Sequence, residues 1–263
     1  MSKPRPAAFI SHGTPLNAIW DNTFTRAWGE LGRRLGRFEA IVCVSAHWLT
    51  LQGAQVTSGS EPRTIYDMGG FPDELYRVRY PAPGDDTLAA ELAARIATTQ
   101  VVPSAAWGYD HGTWSVLVHM YPAADIPVIQ LSIDYALPPS SHLALGRELR
   151  FLRDRNVLLL GSGQFVHNLR EAGARGDERM RPYDWAVEFD RIVSGWVEAR
   201  NFEAVADFQS LGELAVRSHP SYEHFLPLLY VLGASDASDR LEWVTEGIVS
   251  GCHDMRSLLV SEA

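Results

Sequence analysis

The sequence predicts a single α/β domain, with a central, largely parallel sheet flanked by helices and a histidine site at the carboxyl ends of its strands. Three observations lead there. Short continuous apolar runs at residues 7–10, 40–46, 127–133 and 156–160 have the length and branched content of strands buried on both faces. Amphipathic stretches at helical spacing alternate with them, the pattern that builds parallel sheets. Three of the runs lead into a histidine, at His12, at His47 and, through Gly161-Ser162-Gly163, at His167. Ligands of open α/β sheets bind just beyond the carboxyl ends of such strands.

In order, the first strand covers residues 7–10 and turns at Ser11-His12-Gly13-Thr14-Pro15. Asn22 caps a helix over 23–35, in which Phe24, Trp28, Leu31 and Leu35 share one face and Gly36 is the stop. The strand at 40–46 follows. Strand, helix and strand of these lengths imply a right-handed parallel crossover, which brings His12 and His47 out at the same sheet edge. Residues 49–83 read as a long irregular loop rich in aromatics, of the kind that often carries function. Asp85 or Asp86 caps a helix through Leu88, Leu92 and Ile96. A segment from Trp107 to Trp114 precedes a short helix at 115–121, and a strand follows at 127–133. Ser140 or Ser141 opens a helix to about residue 153. After the strand at 156–160 and the loop to His167, a long helix spans 182–200, with Trp185, Phe189, Ile192 and Trp196 at helical spacing. Residues 201–216 form a shorter helical piece. A helix beginning near His224 accommodates Pro227 in its first turn. Strands at 241–250 and 257–260 close the chain. With no repeat and no linker, residues 1–263 read as one domain.

Bulk composition narrows the function. The 263 residues are 46% hydrophobic and 21% charged, ordinary for a globular protein, and the net charge of −9 disfavours nucleic acid as a partner. Only two cysteines occur, Cys43 inside a strand and Cys252, and no disulfide framework is visible. Residues 1–6 lack the apolar core of a signal peptide, and no apolar run reaches the ~18 residues of a membrane span. These features predict a cytoplasmic protein without a membrane partner.

The nine histidines divide by context. His119, His142, His219 and His253 read as structural, in a helix face, near a helix start, at a turn before Pro220 and in a polar C-terminal segment. His12, His47, His111, His167 and His224 lie at element ends or in loops beside small residues. Together they suggest a metal or acid–base site, since neutral imidazole suits zinc, iron and copper. Gly161-Ser162-Gly163 does not complete a dinucleotide fingerprint, because Val166 stands where the third glycine belongs. No G-x-S-x-G elbow is present, which argues against an ordinary serine hydrolase.

The motifs also form an ordered set: Ser11-His12-Gly13-Thr14-Pro15, Ser45-Ala46-His47-Trp48, Gly69-Gly70-Phe71-Pro72 on to Tyr80-Pro81-Ala82-Pro83-Gly84, Tyr109-Asp110-His111-Gly112-Thr113-Trp114, Gly161-Ser162-Gly163 through His167-Asn168-Leu169, and His219-Pro220-Ser221-Tyr222-Glu223-His224-Phe225-Leu226-Pro227-Leu228. In this order they resemble the DODA-type, class III (LigB-like) extradiol ring-cleavage dioxygenases, from about residue 7 to residue 260. The resemblance implies a non-haem enzyme that opens a catechol ring, DOPA-like, with O₂. It implies one divalent ion, Fe(II) for dioxygenase activity, with Zn(II) also met in such sites. His12, His47 and His224 correspond to metal ligands. His167 corresponds to an acid–base residue that can itself touch the ion, and His111 to a further active-site histidine that hydrogen-bonds substrate or oxygen. Better-known class III enzymes use two histidines and a glutamate. Here Glu223 adjoins His224, and neighbouring residues point to different sides, so both are not expected on one ion; the resemblance is read with His224 as the third ligand and Glu223 as the alternative. Trp48, Tyr66, Phe71, Trp107 and Trp114 are each either pocket wall or core. Two other readings of the same histidines are a zinc-dependent hydrolase and a non-enzymatic, Memo-type binding relative.

Overall fold

The computed structural model describes residues 5–173, 177 and 179–263, so the N-terminal stretch examined for a signal pattern lies partly outside the described residues. The elements in chain order are β1 (Ala7–Ser11), α1 (Thr23–Leu35), β2 (Ala40–Thr50), β3 (Ala54–Thr57), α2 (Asp86–Arg95), β4 (Val101–Ser104), α3 (His111–Met120), β5 (Val128–Asp134), α4 (Pro139–Leu149), α5 (Phe151–Asp154), β6 (Val157–Gly163), α6 (Asp184–Glu198), α7 (Phe202–Ala206), α8 (Glu213–Ser218), α9 (Leu226–Gly233), β7 (Asp239–Thr245), β8 (Ile248–Val249), β9 (His253–Asp254) and β10 (Ser257–Glu262). Eight strands make one sheet in the order β4-β3-β5-β2-β6-β1-β10-β7. The centre, β5-β2-β6-β1, is parallel, whereas β10 and β7 close one edge antiparallel.

Alternation along the strands fills two apolar layers. Ala7 and Phe9 of β1 face one layer with Leu145 of α4, Phe189 of α6 and Leu228 of α9. Ala8 and Ile10 face the other with Trp28 of α1 and Trp114 of α3. Central strands with both faces covered read as unbroken apolar runs, which is why they were legible. The α1 boundaries match the expected ones, held by a full capping box between Asn22 and Thr25. In the first layer α4 and α9 approach backbone to backbone. A Cβ on Gly146 would lie 2.3 Å from the Tyr230 carbonyl oxygen, and one on Gly233 would lie 2.2 Å from that of Leu143. Fully buried Arg153 grips both oxygens of Asp239 at 2.6 and 2.8 Å, tying α5 to the start of β7.

Several expectations needed correction. The strand expected to end at residue 46 continues to Thr50. Its pairing with β6 ends at Ser45, and against β5 it bulges, so that Ser45 to Trp48 stand opposite Ser132 alone. His47 therefore sits in a bulge within β2 rather than at its end, and the bulge re-aims the side chain. The stretch read as irregular contains β3. The helix expected at 115–121 begins at His111, capped by Asp110, whose carboxylate accepts from Thr113 N–H at 3.1 Å. The helix expected to run to 153 breaks at Arg150. The closing strand at 241–250 divides into β7 and β8 around Gly247, whose φ of 127° belongs to the glycine region. Among the described residues, no helix is long and apolar enough to cross a membrane.

Candidate active site

Five imidazoles meet at the carboxyl end of the parallel strands. β1 delivers His12, the β2 bulge His47, the first turn of α3 His111, the loop after β6 His167 and the segment before α9 His224. Ring centroids lie 5.0 Å apart for His12 and His47, 3.8 Å for His47 and His111, and 4.9 Å for His47 and His224. His167 stacks on His224 at 3.6 Å. Potential ligand atoms of His12, His47 and His111 lie within 4.8 Å of one another, and so do those of His167, Glu223 and His224.

The outer nitrogens of His12, His111 and His224 are held in place, and this fixes which of their ring nitrogens points inward. Ser162 donates its hydroxyl hydrogen to the Gly112 carbonyl, so its oxygen is free to accept from His12 Nδ1–H at 3.0 Å. Asp67 accepts from the His111 backbone N–H and Nδ1–H, both at 2.8 Å, and its Oδ2 lies 3.5 Å from His47 Nδ1. Glu223 accepts from His224 Nδ1–H at 3.0 Å. Carboxylate or hydroxyl partners of this kind set the tautomer and ring orientation of metal-bound histidines. They leave Nε2 of His12, His111 and His224 as acceptors, while His47, whose Nδ1 makes no hydrogen bond to Asp67, can present Nε2 in either form. The Nε2 atoms of His12 and His47 face one another at 3.1 Å. Without an ion, His47 Nε2–H can donate to His12 Nε2; with both nitrogens as lone pairs, the two would repel unless a cation lay between them. Metal–nitrogen bonds of about 2.1 Å at near right angles place two nitrogens about 3 Å apart. The donor set therefore fits a single divalent ion.

Electrostatics support the neutral form. Burial first, and then the neighbouring imidazoles, hold His12 and His224 well below the ordinary histidine pKa; at His47 burial dominates in the same way. Burial, with His253 beside it, lowers His167 to about 3. For Asp67, burial pushes the carboxyl up, but the hydrogen bonds and proximity of His111 and His47 outweigh it and leave the group lowered. Behind the cluster, burial and the Asp67 charge push Asp110 up to about 6, where it accepts from Ser45 at 2.7 Å and joins β2, β5 and α3.

A cavity of about 270 Å³ opens from the cluster, walled also by Pro15, Met68, Gly69, Phe71, Leu169 and His253. Phe71 is thus pocket wall, whereas Trp114 is fully buried core and Trp48 stacks on Trp107 at 5.8 Å. Gly161 and Gly163, weighed as a nucleotide loop, are instead the closing residues of strand β6, packed against Pro227 and the His224 carbonyl. A Cβ on Gly163 would lie 2.1 Å from the His224 carbonyl oxygen. Asp67 was not singled out, because nothing in the local pattern of a long loop marks one aspartate. Its only signal is the Tyr66–Pro72 motif around it. His253, read as structural, lines the cavity.

The other histidines stay outside the cluster. His119 meets the Asn17 carbonyl at 2.7 Å, His142 the Tyr230 hydroxyl at 2.9 Å and His219 the Phe165 carbonyl at 3.0 Å. Burial lowers His142 and His219 to about 4. Unfolding returns each to about 6.5, so between these values the unfolded chain binds more protons and stability falls as pH falls. From pH 6.5 to pH 5 each group should withdraw about 1.6 kcal/mol. Urea unfolding across this range checks it: His142→Gln should flatten the slope of stability against pH by about one proton, and an unchanged slope would refute the assignment.

Comparison with known proteins agrees with this geometry. Residues 6–253 match the family described as the catalytic LigB subunit of aromatic ring-opening dioxygenase. The chain is 46% identical to the 4,5-DOPA dioxygenase extradiol of Escherichia coli K12, over 99% of this chain and 96% of that one. It is 36% identical to the 4,5-DOPA dioxygenase extradiol of Beta vulgaris, over 90% and 89% of the two chains. The crystal structure of an uncharacterized Escherichia coli K12 protein superposes with a TM-score of 0.82 at 40% identity, covering 98% of this chain and all of that one. A matching fold, a histidine cluster at the expected sheet edge and full-length similarity converge, and the chain belongs to the LigB family of aromatic ring-opening dioxygenases as an extradiol enzyme.

Proposed function

We propose that the chain holds one divalent ion on His12, His47 and His224 and, with Fe(II), opens a DOPA-like catechol with O₂ to a semialdehyde. The observation that carries this is the facing pair of His12 and His47 Nε2 atoms, 3.1 Å apart, at the base of a cavity of about 270 Å³. When bound, Fe(II) supplies Lewis acidity toward the catechol oxygens and the redox chemistry that lets O₂ react. His167 is neutral and beside the cluster, so it is placed to take the proton of a catechol hydroxyl and to return one later. A catecholate held against the ring would raise its proton affinity from the low resting value. His111 spends its Nδ1–H on Asp67, and its Nε2 is left to accept a hydrogen bond from the second hydroxyl. Met68 and Phe71 wall the aromatic ring and exclude water. Two cysteines, both buried and unpaired, support a reducing, cytoplasmic setting.

Anaerobic loading with Fe(II), followed by L-DOPA and air, tests the reading. Stoichiometric oxygen uptake with a yellow ring-opened product is expected. No uptake across a panel of catechols, despite one tightly bound ion per chain, would overturn it and favour the zinc hydrolase.

A further inference from the structure

His253 enters the cavity from the last ribbon of the chain. β9 pairs antiparallel with β8, His253 opposite Val249. On its other side Asp254 bridges Val166, its N–H donating to the Val166 carbonyl at 3.3 Å. In an antiparallel pair the next residues in register are His167 and His253, and directly opposed side chains share a face. The rings obey this: their centroids are 5.7 Å apart and their planes only 15° from parallel. Backbone pairing therefore aims His253 into the same space as His167, one step farther from the facing Nε2 atoms.

Outside the five-imidazole cluster, two lining side chains carry a hydroxyl or ring nitrogen, Thr14 and His253. The Thr14 hydroxyl already accepts from Leu16 N–H at 3.4 Å. His253 is 8% exposed; its Nε2 is shut in with no hydrogen-bond partner among the described residues, and the ring meets the cavity along its remaining edge. Burial also lowers the group to about 4, so the ring is neutral and offers one donor and one acceptor. A catechol anchored by its two hydroxyls among the inner imidazoles would carry its remaining ring positions outward, past His167.

We propose that His253 reads the ring substituent: it hydrogen-bonds a polar group that the catechol carries beyond its two hydroxyls, and so sets which substituted catechols the cavity accepts. The assignment rests on the ring-opening reading for its ligand class.

The test is anaerobic calorimetric binding to the metal-loaded protein of 4-methylcatechol, 3,4-dihydroxybenzyl alcohol and L-DOPA. These differ in whether the substituent can hydrogen-bond. Wild-type protein should bind at least one polar-substituted ligand more tightly than 4-methylcatechol. His253→Phe should weaken that ligand about tenfold, the worth of one hydrogen bond at about 1.4 kcal/mol, and 4-methylcatechol less than about twofold. His253→Gln should restore most of the loss, and in turnover the effect should fall on KM rather than kcat. If His253→Phe does not fold, His253→Leu carries the same comparison. Equal losses for all three ligands, or none, would overturn the assignment, and so would a wild type that binds no catechol. Selective binding that depends on His253, without oxygen uptake in air, would refute ring opening and leave the role of His253 standing.

Discussion

His12→Ala is expected to lose both the ion and ring opening, with oxygen uptake falling about 10³-fold or more, because Lewis-acid stabilisation is worth several kcal/mol. The substitution removes one of the two facing Nε2 atoms and releases Ser162, while β1 keeps its ladders to β6 and β10. The fold should therefore survive. Metal content by elemental analysis and oxygen uptake, measured on the same preparation, check this. His142→Ala is the comparison, as another buried imidazole removed, but one bonded to Tyr230 where α4 meets α9. It should cost stability and retain the ion. A His12→Ala protein that keeps one tightly bound ion and full turnover would remove His12 from the ligand set.

Gly163→Ala should be nearly as damaging to turnover through a single methyl group. Its Cβ would lie 2.1 Å from the His224 carbonyl oxygen, which also accepts from Gln164 N–H at 2.8 Å. The Gly163 carbonyl in turn accepts from His12 N–H at 3.0 Å. The added atom thus pushes on the backbones of two proposed ligands at once. Overpacking of this kind costs about 1–3 kcal/mol, which a folded domain tolerates. A shift of about 1 Å at a reacting centre costs about 10²-fold in rate. Retained cooperative unfolding, with kcat/KM reduced about 10²-fold, is the expected pair of results. Gly195→Ala, in α6 with nothing within 4 Å of the new Cβ, should be neutral or slightly stabilising. Equal behaviour of the two variants would show that the close approach at Gly163 is not what positions His224.

What could be read from the sequence follows from which forces are local. The capping box at Asn22 and the apolar stripe of α1 act within a few residues, and both ends of the helix were legible. The strand cores were legible because burial on both faces leaves an unbroken apolar run. β4 was not, since it is four residues long and contains Pro103, which an edge strand tolerates. The β2 bulge depends on register against β5, and register is a property of two strands. At the site, the five histidines stood out because each follows a strand or adjoins small residues. Their partners did not. Asp67 reaches His111 across 44 positions and Ser162 reaches His12 across 150, and no local pattern encodes such pairs. His253 was passed over for the same reason, since only the bridge from Asp254 to Val166 turns it toward the cavity.

The placement of β1 has a consequence for how the enzyme is born. This first strand lies between β6 and β10, so the residues that position His12 are finished only when the C-terminal strand arrives. A ribosome releases the chain from its N-terminus, and during synthesis β1 has neither neighbour for more than half of its length. The helix after it can form at once, but the strand must wait for partners far along the chain, the kind of closure that slows folding. Nascent chains halted before β10 should consequently be unable to mature into metalloprotein, however much of the sheet they have assembled. Under the proposed reading, metal loading then follows the arrival of β10, and a partly made copy would not hold the ion.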